Sequence, residues 1–331
     1  MSSDLAITIA LIVTAVGFDF LNGFHDSANV VATTISSRAL SPRRALILAA
    51  GCEAAGPFLF GVAVATTIGH EIVLPEAIGP TVIFAGLLGA IAWNLITWVL
   101  GIPSSSSHAL IGGLVGAVAI AHGFSAIQVA GIQKTVIALF TSPILGLVVG
   151  YLLMKFLLWL SRAATPRANE FFKGAQVLTS MGLALSHGTN DAQKSMGIIT
   201  MALVSGGLLD SFHVPIWVIA LCASAIALGT FTGAWRIIRT LGAKFYRIRP
   251  IHGFSAQAAS AAVILGAAVL GGPVSTTQVV SSTIIGVGSA ERVSKVRWGV
   301  AGDIAVAWLL TIPASMLMSA LIYLPLRAWF G

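Results

Sequence analysis

Residues 4–35 form an apolar stretch of 32 residues, and comparable stretches recur at 45–68, 81–100, 109–121, 135–160, 174–205, 214–235, 252–272 and 298–324, with a shorter tenth segment ending at 284–288. A bilayer's hydrocarbon core, about 30 Å thick, is crossed by roughly 20 helical residues, so most of these runs are long enough to span it. A transmembrane barrel would need many segments of about 10 residues with alternating polarity, which these runs lack. With 57% hydrophobic and 9% charged residues and a mean hydropathy of +0.95, the chain reads as an all-α polytopic membrane protein. The first run would measure roughly 48 Å as one helix, so a break or tilt is expected near Asn22 and Gly23. The first ten residues have no basic segment and pass straight into this run, which reads as a membrane helix and not a cleaved signal. Cys52 and Cys222 lie in apolar runs and give neither a disulfide framework nor a metal-ligand spacing.

Two polar clusters interrupt this pattern. SHGTNDAQKSMG at 186–197 sets His187, Asn190, Asp191 and Lys194 in a glycine-rich apolar segment, and NGFHDSAN at 22–29 carries Gly23 and Asp26 in the register of Gly188 and Asp191, 165 positions earlier. An ionised side chain at bilayer depth costs about 2.5–3.5 kcal/mol, so such clusters mark a functional site. Landmarks 170 positions apart extend the match: Pro103 with Pro273, His108 with Gln278, Pro143 with Pro313, and Cys52 with Cys222. The reading is two repeats, 1–160 and 174–331, joined by a cytoplasmic basic linker at 161–173. Arg162, Arg167 and Lys173 lie in that linker.

The +7 net charge falls mostly in short loops: Arg38, Arg43 and Arg44; the linker; Arg236, Arg239, Lys244, Arg247 and Arg249; and Arg292, Lys295 and Arg297. This is the positive-inside pattern and not a nucleic-acid surface. It puts both termini outside a plasma membrane, an outer loop at Glu71 and Glu76, and the two repeats in inverted orientation. Ten crossings is the minimum, and 10–12 segments are expected if the serine- and threonine-rich breaks are interrupted helices or re-entrant hairpins.

Those breaks, GIPSSSSH at 101–108 and GGPVSTTQ at 271–278, place hydroxyls after a proline, where a new helix can begin. A helix start offers unpaired N–H groups and the positive dipole end to an anion. Ser and Thr packing between helices is the plainer reading of one such run, but two runs after matched prolines favour a site. Ser105, Ser106, Ser107, Thr276 and Thr277, with Asn190 and Gln278 as amide donors, form the expected anion-binding set. Asp26 and Asp191 would repel an anion unless they are protonated, cation-loaded or accepting hydrogen bonds from it. That ties anion entry to cation entry and favours phosphate, which keeps an O–H donor, over sulfate. The bland alternative for Asp191 is an ion pair with Lys194 three residues on.

GFHDSANVVAT at 23–33, GIPSSSSHALIGG at 101–113, HGTNDAQKSMGII at 187–199 and GPVSTTQVVSSTIIG at 272–286 resemble the inorganic phosphate transporter family, in order and over nearly the whole chain. The resemblance implies a secondary transporter that imports inorganic phosphate with a coupling cation by alternating access. It also implies a transport role for a glutamate at Glu53. The sodium-coupled branch carries an Asn-Asp-x-x-Asn pattern in both motifs, whereas here the motifs read His25-Asp26-Ser27-Ala28-Asn29 and Asn190-Asp191-Ala192-Gln193-Lys194. These departures resemble the bacterial branch associated with proton-driven uptake, with sodium or a divalent metal–phosphate complex as alternatives. The cation-coupling set is then Asp26, Asn29, Asp191, Lys194, Glu53 and His25, with Lys194 supplying a fixed positive charge where relatives hold sodium. No metal ligand set and no cofactor are expected. Gln257 stands where many relatives have an acid. Asp303 and Asp19 are further intramembrane acids without an assigned role, and Trp93, Trp98, Trp159 and Trp329 are expected as interfacial anchors.

Other classes remain open from sequence. Ser107 and His108 suggest a hydrolase, but adjacent helical residues point about 100° apart and the second copy has Gln278 in place of His108. A channel and a sulfate carrier are the remaining rivals. The partners expected are phosphate and membrane lipid, and a homodimer stays open.

Overall fold

The computed structural model describes residues 3–74, 77–163 and 165–330, which are almost entirely helical. The first half comprises α1 (Ser3–Ser36), α2 (Pro42–Leu59), α3 (Ala63–Thr66) running into a π turn at Thr67–Glu71, α4 (Pro80–Leu100), α5 (Ser106–His122) and α6 (Val129–Leu160). The second repeats that order: α7 (Ala168–Ser205), α8 (Ile216–Thr232), α9 (Trp235–Ala243), α10 (Pro250–Val269), α11 (Thr276–Glu291) and α12 (Trp298–Phe330). Among the described residues, five helices (α1, α4, α6, α10 and α12) are long and apolar enough to cross a membrane, and up to seven spans result if the bent pairs α2–α3 and α8–α9 are each counted as one. At 17 and 16 residues, α5 and α11 reach about 25 Å, short of a full crossing.

Of the break or tilt expected near Asn22 and Gly23, the break does not occur, because α1 is continuous over 34 residues. Gly23 instead permits close packing: a Cβ there would collide with the backbone of Ile226 on α8. The stretch 45–68, expected as a single segment, is bent by 73° between α2 and α3, whereas 214–235 holds the single helix α8 and ends where the chain bends by 72° into α9, so that Arg236 and Arg239 sit on α9 and not in a loop. Glu71 belongs to the π turn, while Glu76 lies outside the described residues.

Glycines register the two halves against each other. Gly23 meets Ile226 and Gly188 meets Glu53; Gly229 meets Phe20 and Phe24, and Gly56 meets Leu185 and Thr189. Farther along, Gly69 abuts the carbonyl of Gly197 and Gly242 that of Ala32. Each contact has its twin with α1 and α7 shifted by 165 positions and the bent pairs by 173, so α1 lies on α8 as α7 lies on α2. Small residues at such crossings let backbones approach where no hydrophobic effect drives helices together. The 173 shift also corrects the pairing of Cys52 with Cys222: the residue equivalent to Cys52 is Ala225.

The polar clusters lie in a layer between two apolar cores. Along α1 one core takes Leu11, Ala15 and Phe18, the other Ala28, Val30 and Val31, with Asp19, Asn22 and Asp26 between them. Along α7 the order is reversed: Leu183 and Ala184 belong to the second core, and Met196, Ile198 and Ile199 to the first. The two helices therefore traverse the layer in opposite directions.

Candidate functional site

Gly101 and Gly271, at φ +68° and +72°, turn the chain after α4 and α10, and the extended residues that follow lead into α5 and α11. Left-handed backbone of this kind suits glycine, and the prolines at 103 and 273 discourage continued helix. Each new helix is capped by a serine. Ser105 Oγ accepts from His108 N at 3.1 Å, and Ser275 Oγ accepts from Gln278 N at 3.3 Å. Ser105 also pairs with His108 Nδ1 at 2.7 Å, so its hydroxyl is engaged within its own helix. Val274 O accepts a 3.0 Å hydrogen bond from Ser107 Oγ, which joins the two helix starts.

The starts abut the carboxylates of α1 and α7. Asp26 Oδ2 accepts from Ser106 Oγ at 2.9 Å and Asp26 Oδ1 from Thr277 Oγ1 at 3.2 Å, and His25 Nδ1 lies 2.7 Å from Oδ1. Thr276 Oγ1 sits between the aspartates, 3.0 Å from Asp191 Oδ2 and 3.4 Å from Asp26 Oδ2. Asn29 Nδ2 donates to Thr277 Oγ1 at 2.9 Å, and Ser106 Oγ also reaches Asn22 Oδ1. Lys194 Nζ bonds Asp191 Oδ1 and donates to Ser107 Oγ at 2.6 Å. The expected Asp191–Lys194 ion pair thus exists, but it is built into the cluster and does not stand apart from it.

His187 was named in the motif without a role, and it proves central. Its Nδ1 lies 2.9 Å from Glu53 Oε1 and its Nε2 3.1 Å from Asp191 Oδ2, while Glu53 Oε2 accepts from Thr230 Oγ1. A histidine four residues before an aspartate on one helix was the available signal. Asp26, His187 and Asp191 each present a ligand atom within 4.8 Å of the others, a donor set that a cation would fit although no metal set was expected from sequence. Asp26, Asp191, Glu53, His25, His187 and Lys194 are all 1% exposed or less. Three carboxyl groups, two imidazoles and one amine therefore meet in a sealed layer.

Other polar residues of the motifs hold the scaffold. Gln193 Oε1 accepts from Val64 N and Ala65 N at 2.8 and 3.2 Å, and Gln193 Nε2 donates to Gly61 O, fixing the α2–α3 bend. Ser27 Oγ accepts from Ala234 N at 2.9 Å at the α8–α9 bend. Asn190 Nδ2 donates to Gly272 O at 3.3 Å, and Gln278 is buried at the α11 start. Gln257 ties α10 to α1 and α7 through Thr34 and Thr179. Asp303 is exposed on α12, outside the cluster. Of the tryptophans, Trp159 is exposed; Trp93 donates to Thr311, Trp98 packs edge-on against Phe24, and the side chain of Trp329 lies outside the described residues.

The model of the phosphate transporter family matches residues 22–319. The chain is 50% identical over 327 residues to a probable low-affinity inorganic phosphate transporter of Rhizobium meliloti (strain 1021), covering 98% of both chains. It is 46% identical over 330 residues to a protein of the same description from Bacillus subtilis (strain 168), covering 98% of this chain and 99% of that one. A solved structure described as the sodium-dependent phosphate transporter superposes with a TM-score of 0.87 over 98% of this chain and 99% of that one, and at 24% identity it shows the fold alone.

Proposed function

The chain belongs to the phosphate transporter family, and from that premise we propose that it imports inorganic phosphate by proton symport, with phosphate held between the starts of α5 and α11. The observation that carries this reading is the way the carboxylates occupy the hydroxyls. Ser106, Thr276 and Thr277 donate to Asp26 and Asp191, so a phosphate seated at the helix starts must take those same donors. A carboxylate that loses its donors in a sealed site is costly, whereas a protonated carboxyl is not, so phosphate and proton enter together. Amide N–H groups at the two helix starts, Ser106, Ser107, Thr276 and Thr277 bind the anion; Asn190 and Gln278 border it, and Ser105 keeps the α5 start in place. Asp26, Asp191, Glu53 and the histidines His25 and His187 hold the protons, and Asn29 orients Thr277. Lys194 supplies a charge that does not dissociate from the protein with the substrate.

Residues 1–160 and 174–331 act as inverted repeats around this site, joined by the cytoplasmic linker at 161–173, with both termini outside the plasma membrane. The opposite passage of α1 and α7 through the polar layer and the twinned glycine contacts support this. A hydrolase reading loses its basis, because His108 Nδ1 is engaged by Ser105 and Ser107 points to Lys194 and Val274. Labelled phosphate uptake into proteoliposomes under an inward pH gradient without sodium tests the proposal, with a sodium gradient at equal pH as the second arm and excess sulfate as competitor. Accumulation on the pH gradient alone, resistant to sulfate, is the expected result. A sodium requirement would overturn proton coupling, and competition by sulfate would overturn phosphate selectivity.

A further inference from the structure

Asp19 lies seven residues before Asp26 on α1, roughly 10 Å along the helix and on the same face, and is fully buried. No donor stands in full hydrogen-bonding geometry to either of its carboxylate oxygens, although the Ser195 hydroxyl and the Cys222 thiol come near. Ser195 Oγ, which approaches it from α7, is likewise unpartnered, and so is the amide nitrogen of Asn22 one turn along α1 towards Asp26. The titratable groups that act on Asp19 are Asp191 and Lys194 from α7 and Cys222 from α8; α4, which also packs on α1, carries none. An ionised carboxylate buried without a donor is among the most costly groups a protein can hold, and such residues at membrane depth mark ion pathways. The neighbours offer a hydroxyl, a thiol and an amide N–H, far short of the several oxygen ligands that a hard metal cation requires.

We propose that Asp19 is a proton-binding site on the outer side of the phosphate site, taking up the coupled proton about 10 Å along α1 from the Asp26 cluster that receives it when the layer opens to water. This rests on the proton-symport reading above. Asp19 in its neutral form suits the sealed state described here, and it would ionise only when the layer opens to water. The site differs from the carboxylates at the helix starts in that none of the hydroxyls assigned to phosphate touches it.

The test compares wild type with Asp19→Asn, a permanently neutral isostere, in proteoliposomes. Two readouts are needed: phosphate accumulation under an inward pH gradient, and counterflow of labelled against unlabelled phosphate at equal pH. The expected result is at least a tenfold loss of gradient-driven accumulation with counterflow within about threefold of wild type. Accumulation at the wild-type level in Asp19→Asn would overturn the proposal, and so would parallel loss of counterflow in a variant that still binds phosphate. If wild type itself ignores the pH gradient, proton symport fails as a whole, an outcome distinct from failure of Asp19 alone. Should Asp19→Asn not reconstitute, Asp19→Glu decides the matter: a displaced pH midpoint of uptake with intact counterflow is expected, and an unchanged pH profile contradicts the proposal.

Discussion

Thr276 has one hydroxyl proton and two carboxylates within reach, Asp191 at 3.0 Å and Asp26 at 3.4 Å, so it satisfies only one of them at a time. A group placed in this way responds to whichever aspartate is protonated, and under the proposed phosphate site the anion would compete for the same proton donor. Hydrogen bonds to charged groups contribute about 1.5–3 kcal/mol. Thr276→Val is accordingly expected to weaken phosphate uptake roughly 10- to 150-fold, read as an increase in the half-saturating phosphate concentration, while Thr276→Ser stays close to wild type. Lys194 makes a second residue-scale prediction. Lys194→Asn restores the Asn-Asp-x-x-Asn pattern and removes the fixed charge between Asp191 and Ser107. Uptake by that variant should require sodium; unchanged ion dependence would show that Lys194 has no part in coupling.

At the scale of elements, helix crossings depend on glycines whose missing Cβ makes room for a neighbouring backbone. Gly188 on α7 meets the backbone of Glu53, so Gly188→Ala should destabilise the reconstituted protein by about 1–3 kcal/mol, the usual range for overpacking. Gly182→Ala on the same helix, with open space at its Cβ position, should be neutral or slightly stabilising. Thermal unfolding in detergent separates the two. These glycines also show what could be read from sequence. The paired motifs at Asp26 and Asp191 and the proline breaks before Ser106 and Thr276 were legible, because charge and helix breaking inside apolar runs have few other meanings. The bends at residues 60–62 and at Gly233 and Ala234 were not, since Pro57, Gly61 and Gly233 resemble the many other prolines and glycines of the apolar runs and the groups that stabilise the bends, Gln193 and Ser27, come from distant helices. The π turn at Thr67–Glu71 was hidden for the same reason. The break considered at Gly23 is absent because a glycine inside a helical run can mark either a break or a close crossing, and only the partner helix decides.

Across the whole molecule, matched latches close the two ends of the site. Thr67 Oγ1 donates to Gly271 O at 2.9 Å, and Thr240 Oγ1 donates to Gly101 O at 3.0 Å, so each bent pair holds the turn ahead of the other half's hydroxyl-rich helix. Lys134 reinforces the first latch through Thr67 and Glu71, and Arg236 the second through Val99 O. If the halves move against each other, the latches release one at a time. Thr67→Val should raise hydrogen exchange about 2- to 10-fold around residues 61–74 and 270–276, and Thr240→Val around 100–106 and 233–243, each leaving the other end unchanged, consistent with the loss of one hydrogen bond worth about 0.5–1.5 kcal/mol. The proposed phosphate site lies where the two helix starts meet the paired aspartates, and an experimental structure determined with phosphate bound would locate it. Tetrahedral density within hydrogen-bonding distance of Ser106 and Thr276, between the starts of α5 and α11, is the expected result; density elsewhere in the chain, with those hydroxyls still donating to Asp26 and Asp191, would overturn the proposed site.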